Sequence, residues 1–260
     1  TAPVEVIGYP VKDFDISGES IIDLEYDFNF ITIAQWGPRK NLQNTIKWFV
    51  EENIDQEVGL IVKTSLRNNS HIDRIYAEGL VRQITDSYPD RKCKIYLLHG
   101  DLTEKEVHSL YEHPKIKCLI SLTHGEGFGL PLFEAAYSGL PIIAPGWSGQ
   151  VDFLYIPTKT GKKKRVSNKA HFAEVDFTLS PVGEHAIWPG VIDEGFMWAH
   201  PTEGSFKIRL RQVRKNYDKW LKKAQTLKDW VREKYADDTI KDNFYESVYS
   251  LIKPPELSTE

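Results

Sequence analysis

Apolar and polar positions along this chain follow two alternating rhythms. Short, nearly continuous apolar runs recur at 28–36 (FNFITIAQW), 59–63 (GLIVK), 94–99 (KIYLLH), 118–122 (CLISL) and 140–144 (LPIIA). Runs of this length, bounded by turn residues, read as buried strands. Between them lie more polar stretches with apolar residues at helical spacing. These predict helices over 41–52, about 70–88, from Thr103 to just before His113-Pro114, and over 130–138. Thr103 with Glu106 three residues on is a capping box, and Gly139 is a helix C-terminal stop. Strands and helices alternating in this way predict an α/β fold, a Rossmann-like parallel sheet with helices on both faces. Ligands of such sheets bind beyond the carboxyl ends of the strands. The turns after Trp36, His99 and Thr123 are therefore expected to meet at one edge.

Beyond Pro145 the pattern loosens. A short helix is expected over 147–154, and 159–169 (KTGKKKRVSNK) reads as a basic, solvated loop. From 205 to 253 the chain is expected to be helical, with Leu210, Val213, Tyr217, Trp220 and Leu221 as packing positions. Residues 1–27 begin with a short β-like run, Val4 to Ile7, and continue as a polar stretch marked by Gly and Pro, a linker or edge segment. The domain proper is expected over 28–260. Because the chain opens at Thr1 in an extended segment, we expect a piece of something longer.

Composition narrows the function classes. With 41% hydrophobic and 27% charged residues over 260 positions, the chain is that of an ordinary globular protein. A formal net charge of −4 gives no footprint for nucleic acid. No apolar run reaches membrane-spanning length. Cys93 and Cys118 each fall in a predicted buried strand and read as reduced core thiols, which fits a cytoplasmic location. No His/Cys cluster has zinc spacing. Asp13-Phe14-Asp15 lies outside any strand context that would make it a metal site. A dinucleotide-dependent dehydrogenase is disfavoured, because no G-x-G-x-x-G follows the first strand.

Candidate chemistry concentrates in 117–145. There, strand, glycine-rich turn (His124-Gly125-Glu126-Gly127-Phe128-Gly129) and helix follow one another. That order offers backbone N–H groups and the positive end of a helix dipole to an anion. Glu126 and Glu134, with seven residues between them, bracket it.

The frame Glu126-Gly127-Phe128-Gly129 with Glu134-Ala135, flanked by Ser121, His124, Ser138-Gly139-Leu140-Pro141 and Ser148-Gly149-Gln150, resembles the donor-binding half of retaining two-domain (GT-B) glycosyltransferases. The likeness covers 28–155 well, and more loosely the Trp198-Ala199-His200-Pro201 segment and the closing helices. The resemblance implies a nucleotide-diphosphate-sugar site with no metal and no cofactor. In it Glu134 accepts from the nucleotide ribose and Glu126 contacts the hydroxyls of the transferred sugar. The N–H groups of Phe128, Gly129 and Leu130, beside Gly127, face the diphosphate. Lys40 matches the phosphate-binding lysine that offsets leaving-group charge. Many relatives carry Gly-Arg where Ala34-Gln35 stands here, so Arg39 is the candidate substitute. His124 either touches the donor or orients the turn.

The implied reaction is transfer of a sugar to an acceptor hydroxyl with retention, with GDP-mannose favoured over UDP-glucose. A non-catalytic nucleotide-sugar-binding module is one alternative, and a nucleotide-sugar epimerase or hydrolase of the same plan another. The resemblance also implies a missing N-terminal acceptor-binding domain, braced by helices over 237–252, which would mediate any contact with the cytoplasmic membrane face.

Overall fold

Alternation within the strands builds the centre of the molecule. The computed structural model describes residues 4–16, 21–160 and 165–252. β1 (Asn29–Ile33) leads through a 3-10 turn (Pro38–Lys40) into α1 (Leu42–Asn53), and β2 (Gly59–Lys63) into α2 (His71–Thr85). β3 (Lys94–Leu98) leads into α3 (Glu104–Glu112), and β4 (Ile116–Ile120) into α4 (Leu130–Ser138). β5 (Ile142–Pro145) passes through a second 3-10 turn (Ser148–Gln150) into the single-turn α5 (Val151–Leu154). The strands pair in parallel in the order β3-β2-β1-β4-β5, followed by β8 (Ala173–Val175).

Successive side chains of a strand point to opposite faces, and both faces here are apolar. Ile31, Ile61, Leu119 and Ile142 join Leu110 of α3, Phe133 and Ala136 of α4, and Leu227 and Val231 further on. Their neighbours Phe30, Leu60, Cys118 and Ile143 join Ile46 and Phe49 of α1, Val81 of α2, and Phe206, Leu210 and Val213. Helices therefore cover both faces, as the strand pattern predicts. The capping box is also present: Thr103 Oγ1 accepts from the Glu106 N–H, and the Glu106 carboxylate accepts from the Thr103 N–H at 2.7 Å. Ser70 caps α2 by accepting from the Asp73 N–H at 3.2 Å.

The second half of the chain departs from expectation. The basic stretch is no loop. β6 (Tyr155–Thr160) and β7 (Arg165–Ala170) form an antiparallel hairpin whose tip, 161–164, lies outside the described residues. A two-stranded ribbon does not have to bury a face, so charged side chains are compatible with it. β9 (Phe177–Pro181) and β10 (Met197–Pro201) form a second antiparallel pair, joined by a long arm. Three helices close the described chain: α6 (Glu203–Lys215), α7 (Tyr217–Lys234) and α8 (Asp237–Ile252). Val213 and Leu210 are buried packing positions, whereas Trp220 is half-buried. No described helix is long and apolar enough to cross a membrane.

Smaller corrections concern the edges. Val4 to Ile7 is not a strand. Residues 4–16 instead run extended along α3 and α7, where the Val11 N–H donates to the Tyr235 carbonyl at 2.9 Å. Lys12 pairs with Glu104 and Asp13 with Arg232, both at 2.7 Å, and the Phe14 ring packs on His108 at 4.9 Å. The Asp13-Phe14-Asp15 stretch is thus a packing segment. Cys93 is buried, but it sits one residue before β3; Cys118 lies within β4 as expected, and both are free thiols.

Phe133 is 1% exposed and touches Phe128, Tyr137, Phe153 and Tyr235. Truncation to Ala should cost about 3–5 kcal/mol. Urea unfolding should show a lower midpoint at unchanged slope; a loss under about 1 kcal/mol would mean that this aromatic cluster is not a packed core.

Candidate functional site

At the carboxyl edge of the sheet the turns are tied together in sequence. The His99 Nε2–H donates to the Asp73 carboxylate at 2.8 Å, and that carboxylate also accepts from the N–H groups of Leu66 and Arg67. The His99 hydrogen bond is the main cause that holds the Asp73 carboxyl below its ordinary range. The Trp36 N–H donates to Ser65 O, and the His124 N–H to Arg39 O at 2.8 Å. The predicted convergence is present, through the β2–α2 loop as intermediary.

The glycine turn is held by two devices. Gly129 caps α4 at φ +94°, a left-handed conformation in which a Cβ is costly. From the other side the Trp147–Gln150 turn grips the backbone of Glu126. Ser148 Oγ donates to Glu126 O at 2.7 Å and accepts from Glu126 N–H at 3.2 Å, while the Gly149 N–H donates to the same carbonyl at 3.0 Å. A Cβ on Gly149 would lie 2.0 Å from the Gly127 carbonyl oxygen, so only glycine fits there. Ser148 itself adopts φ +67°, a strained state for a residue with a side chain.

Into this clamped turn the β1–α1 turn delivers two cations. Lys40 Nζ donates to Glu126 Oε1 at 2.6 Å, and the Arg39 guanidinium donates to Glu126 Oε2 at 2.9 Å and to Gly125 O. The Glu126 side chain is 10% exposed. Burial alone pushes its carboxyl up, but the Lys40 and Arg39 hydrogen bonds and charges outweigh burial and hold it below its ordinary value. Among the described residues, no protein acceptor takes the N–H groups of Phe128, Gly129 and Leu130 at the start of α4. The Phe128 ring is packed against Phe153, Phe133 and Tyr9, so it is the backbone of Phe128 that the site can use. Gly127 has open space where a side chain would stand.

His124 is oriented as well as buried. Its Nδ1–H donates to Ala199 O at 2.7 Å, Ala199 N–H donates back to His124 O, and its ring stacks on Trp198 at 5.1 Å. Burial lowers its pKa, the Ala199 hydrogen bond offsets part of this, and the neighbouring His200 adds to the lowering. The neutral ring therefore carries its lone pair on Nε2.

Glu134 stands apart from this group. Its carboxylate accepts from the Tyr111 hydroxyl of α3 at 2.8 Å, in a small cavity also lined by Lys12, Phe14 and His108. Burial raises its pKa despite the Tyr111 bond. The structure thus brings Arg39, Lys40, His124, Glu126 and the α4 N–H groups together, and turns Glu134 toward α3. Sequence reasoning named Ser148 and Gly149 only as part of a frame and missed that they clamp Glu126. It also gave Trp198, Ala199 and His200 no place at the site. Among the described residues, no three His, Cys, Asp or Glu converge as a metal-binding group.

No protein-family model and no curated protein sequence matches the chain. Solved structures do. The C-terminal domain of the glycosyl transferase group 1 family protein LpcC from Francisella tularensis matches with TM-score 0.50 at 15% identity, over 81% of this chain and 87% of that one. HepE of Anabaena, solved with UDP and glucose, matches with TM-score 0.55 at 13% identity, over 86% of this chain and 48% of HepE. Sucrose-phosphate synthase from Thermosynechococcus elongatus matches with TM-score 0.56 at 15% identity, over 94% of this chain and 50% of the synthase. The chain thus spans about half the length of HepE and of the synthase. At these identities the likeness is one of fold: the chain has the α/β fold of the C-terminal domain of a glycosyl transferase group 1 protein.

Two outcomes follow from the opposite electrostatics of the two glutamates. In Glu126→Gln the cations no longer face a carboxylate, so pyrophosphate should bind at least about tenfold tighter by calorimetry, one charge-assisted hydrogen bond being worth that much. Weaker binding would mean that Glu126 holds the cations in place rather than competing for them. For Glu134 a raised carboxyl pKa penalises the folded state increasingly as pH rises above the ordinary glutamate value of 4.5. Glu134→Gln should therefore raise the thermal midpoint at pH 7, and the gain should disappear on acidification below that value.

Proposed function

We propose that this chain is the donor-binding half of a glycosyltransferase that takes its sugar from a nucleotide diphosphate. The observation that carries the reading is the Arg39–Lys40–Glu126 cluster beside the N–H groups of Phe128, Gly129 and Leu130, which have no protein acceptor among the described residues. Two cations and a helix N-terminus suit a diphosphate, and a carboxylate between them suits sugar hydroxyls. The fold shared with LpcC, HepE and sucrose-phosphate synthase supports it.

In the reaction we propose, the bond between the anomeric carbon and the β-phosphate oxygen breaks. The acceptor hydroxyl oxygen bonds to that carbon on the face the phosphate leaves, and the hydroxyl proton passes to the departing phosphate. Negative charge grows on the β-phosphate as the bond lengthens. Lys40, Arg39 and the turn N–H groups are the donors that offset it, with no metal ion required in this reading. Donor binding then exchanges partners: the phosphates take the cations, and the freed Glu126 carboxylate accepts from sugar hydroxyls. Glu134, next to Tyr111, is assigned to the ribose. The His-Gly-Glu-Gly-Phe-Gly frame favours GDP-mannose as donor, whereas HepE was solved with UDP-glucose, so both bases enter the test.

A thermal-shift series with GDP, UDP, GDP-mannose, UDP-glucose and NAD decides the matter. Near 100 times its Kd a ligand adds about 2.7 kcal/mol, which for a domain of this size raises the midpoint by about 5–10 °C. One diphosphate nucleotide should give that rise, and Lys40→Ala should abolish it. A shift with NAD alone, or with none of the five, overturns the reading.

A further inference from the structure

The arm between β9 and β10 folds back over the β1–α1 turn and forms, with it, a half-open cavity of about 590 Å³. This is within the range of small-molecule sites. Its chemistry differs from that of the cation cluster alongside, since no Asp, Glu, Lys or Arg lines it. The walls carry Trp36 and Trp198, the imidazoles of His124, His185 and His200, and the amide of Asn44. Two of these groups are poised for a ligand. His124 commits Nδ1–H to Ala199 O, which leaves Nε2 as an acceptor. His200 Nε2 is buried and has no hydrogen-bond partner among the described residues, a state that is costly unless something else completes it.

We infer that this cavity is a second saccharide-binding site, one that holds an uncharged sugar unit of the acceptor against the donor domain itself. Aromatic rings suit the C–H faces of a pyranose, and imidazoles and amides suit its hydroxyls. Without Lys or Arg, the lining lacks the fixed positive charge that the neighbouring cluster offers to phosphates. The position fits an acceptor: His124 stands two residues before Glu126, and its N–H bonds to the carbonyl of Arg39. A sugar here would lie beside the donor sugar, away from the ribose end assigned to Glu134. The assignment of the bound sugar as acceptor rests on the proposed donor site; the existence of the cavity site does not.

The probes are methyl glucopyranoside, methyl mannopyranoside, maltose and mannobiose at about 20 mM, enough to fill a site of about 1 mM affinity. Guanosine and uridine serve as controls. Saturation-transfer NMR and the indole N–H resonances of Trp36 and Trp198 give the readout. At least one saccharide should receive saturation and move both indole signals. The effect should persist in Lys40→Ala and fall at least fivefold in His185→Ala and in Trp36→Ala, His185 being exposed and dispensable to the core. GDP and UDP binding is measured on the same samples. Saccharide binding without nucleotide binding keeps the cavity site and sinks the donor reading. Nucleotide binding with no saccharide effect overturns the inference alone. Nucleosides moving the indoles where saccharides do not would make the cavity a base pocket and also overturn it.

Discussion

The double ion pair on Glu126 organises the edge of the sheet. A carboxylate this buried is tolerated only because Lys40 and Arg39 reach it. Neither cation reaches it unless the β1–α1 turn lies against the glycine turn, and that contact is held by the backbone bond from His124 to Arg39. The Ser148–Gly149 clamp fixes the other side of Glu126. Three loops that follow three neighbouring strands, β1, β4 and β5, are thus joined through one side chain and its backbone. Two cations share one carboxylate there, so the cluster keeps a positive excess, and an anionic ligand gains access by replacing an existing partner.

Much of the fold was legible because it is written in local periodicities. The five apolar runs gave β1 to β5, shifted by up to three residues at their ends, and the capping box at Thr103 appears as spelled. What was not legible is equally local in cause. β8 is only three residues with a glutamate at its centre, and β9 contains Ser and Pro, so neither stands out as an apolar run. The β6–β7 hairpin packs only its base, Tyr155, Ile156 and Ala170, against the core, and carries no sustained hydrophobic alternation to read.

The site divides in the same way. Glu126 and the start of α4 could be found because a glycine turn between strand and helix is a local pattern with a physical use, whereas Lys40, in the turn after β1, was pointed to by the resemblance alone. The contact of Glu134 with Tyr111 joins residues 23 apart on different helices, which no spacing rule reveals. The strained φ of Ser148 has no compositional mark, since serine is not a residue expected in that conformation. Trp198 and His200 reach the site only because β10 pairs with β9, and that hairpin was unread.

The extended segment at 4–16 has a mechanical consequence. Tyr9 rests on the Phe128 ring at 4.9 Å, and Val11 is hydrogen-bonded to the C-cap residue of α7. Phe128 is two residues from Glu126. Ile7 packs against the core just before this contact and Val11 is tied just after it, so Tyr9 is held against the ring from both sides. Residues 7–11 therefore back the turn that carries the charges, so that its aromatic underside is completed by a segment more than a hundred residues away in the chain.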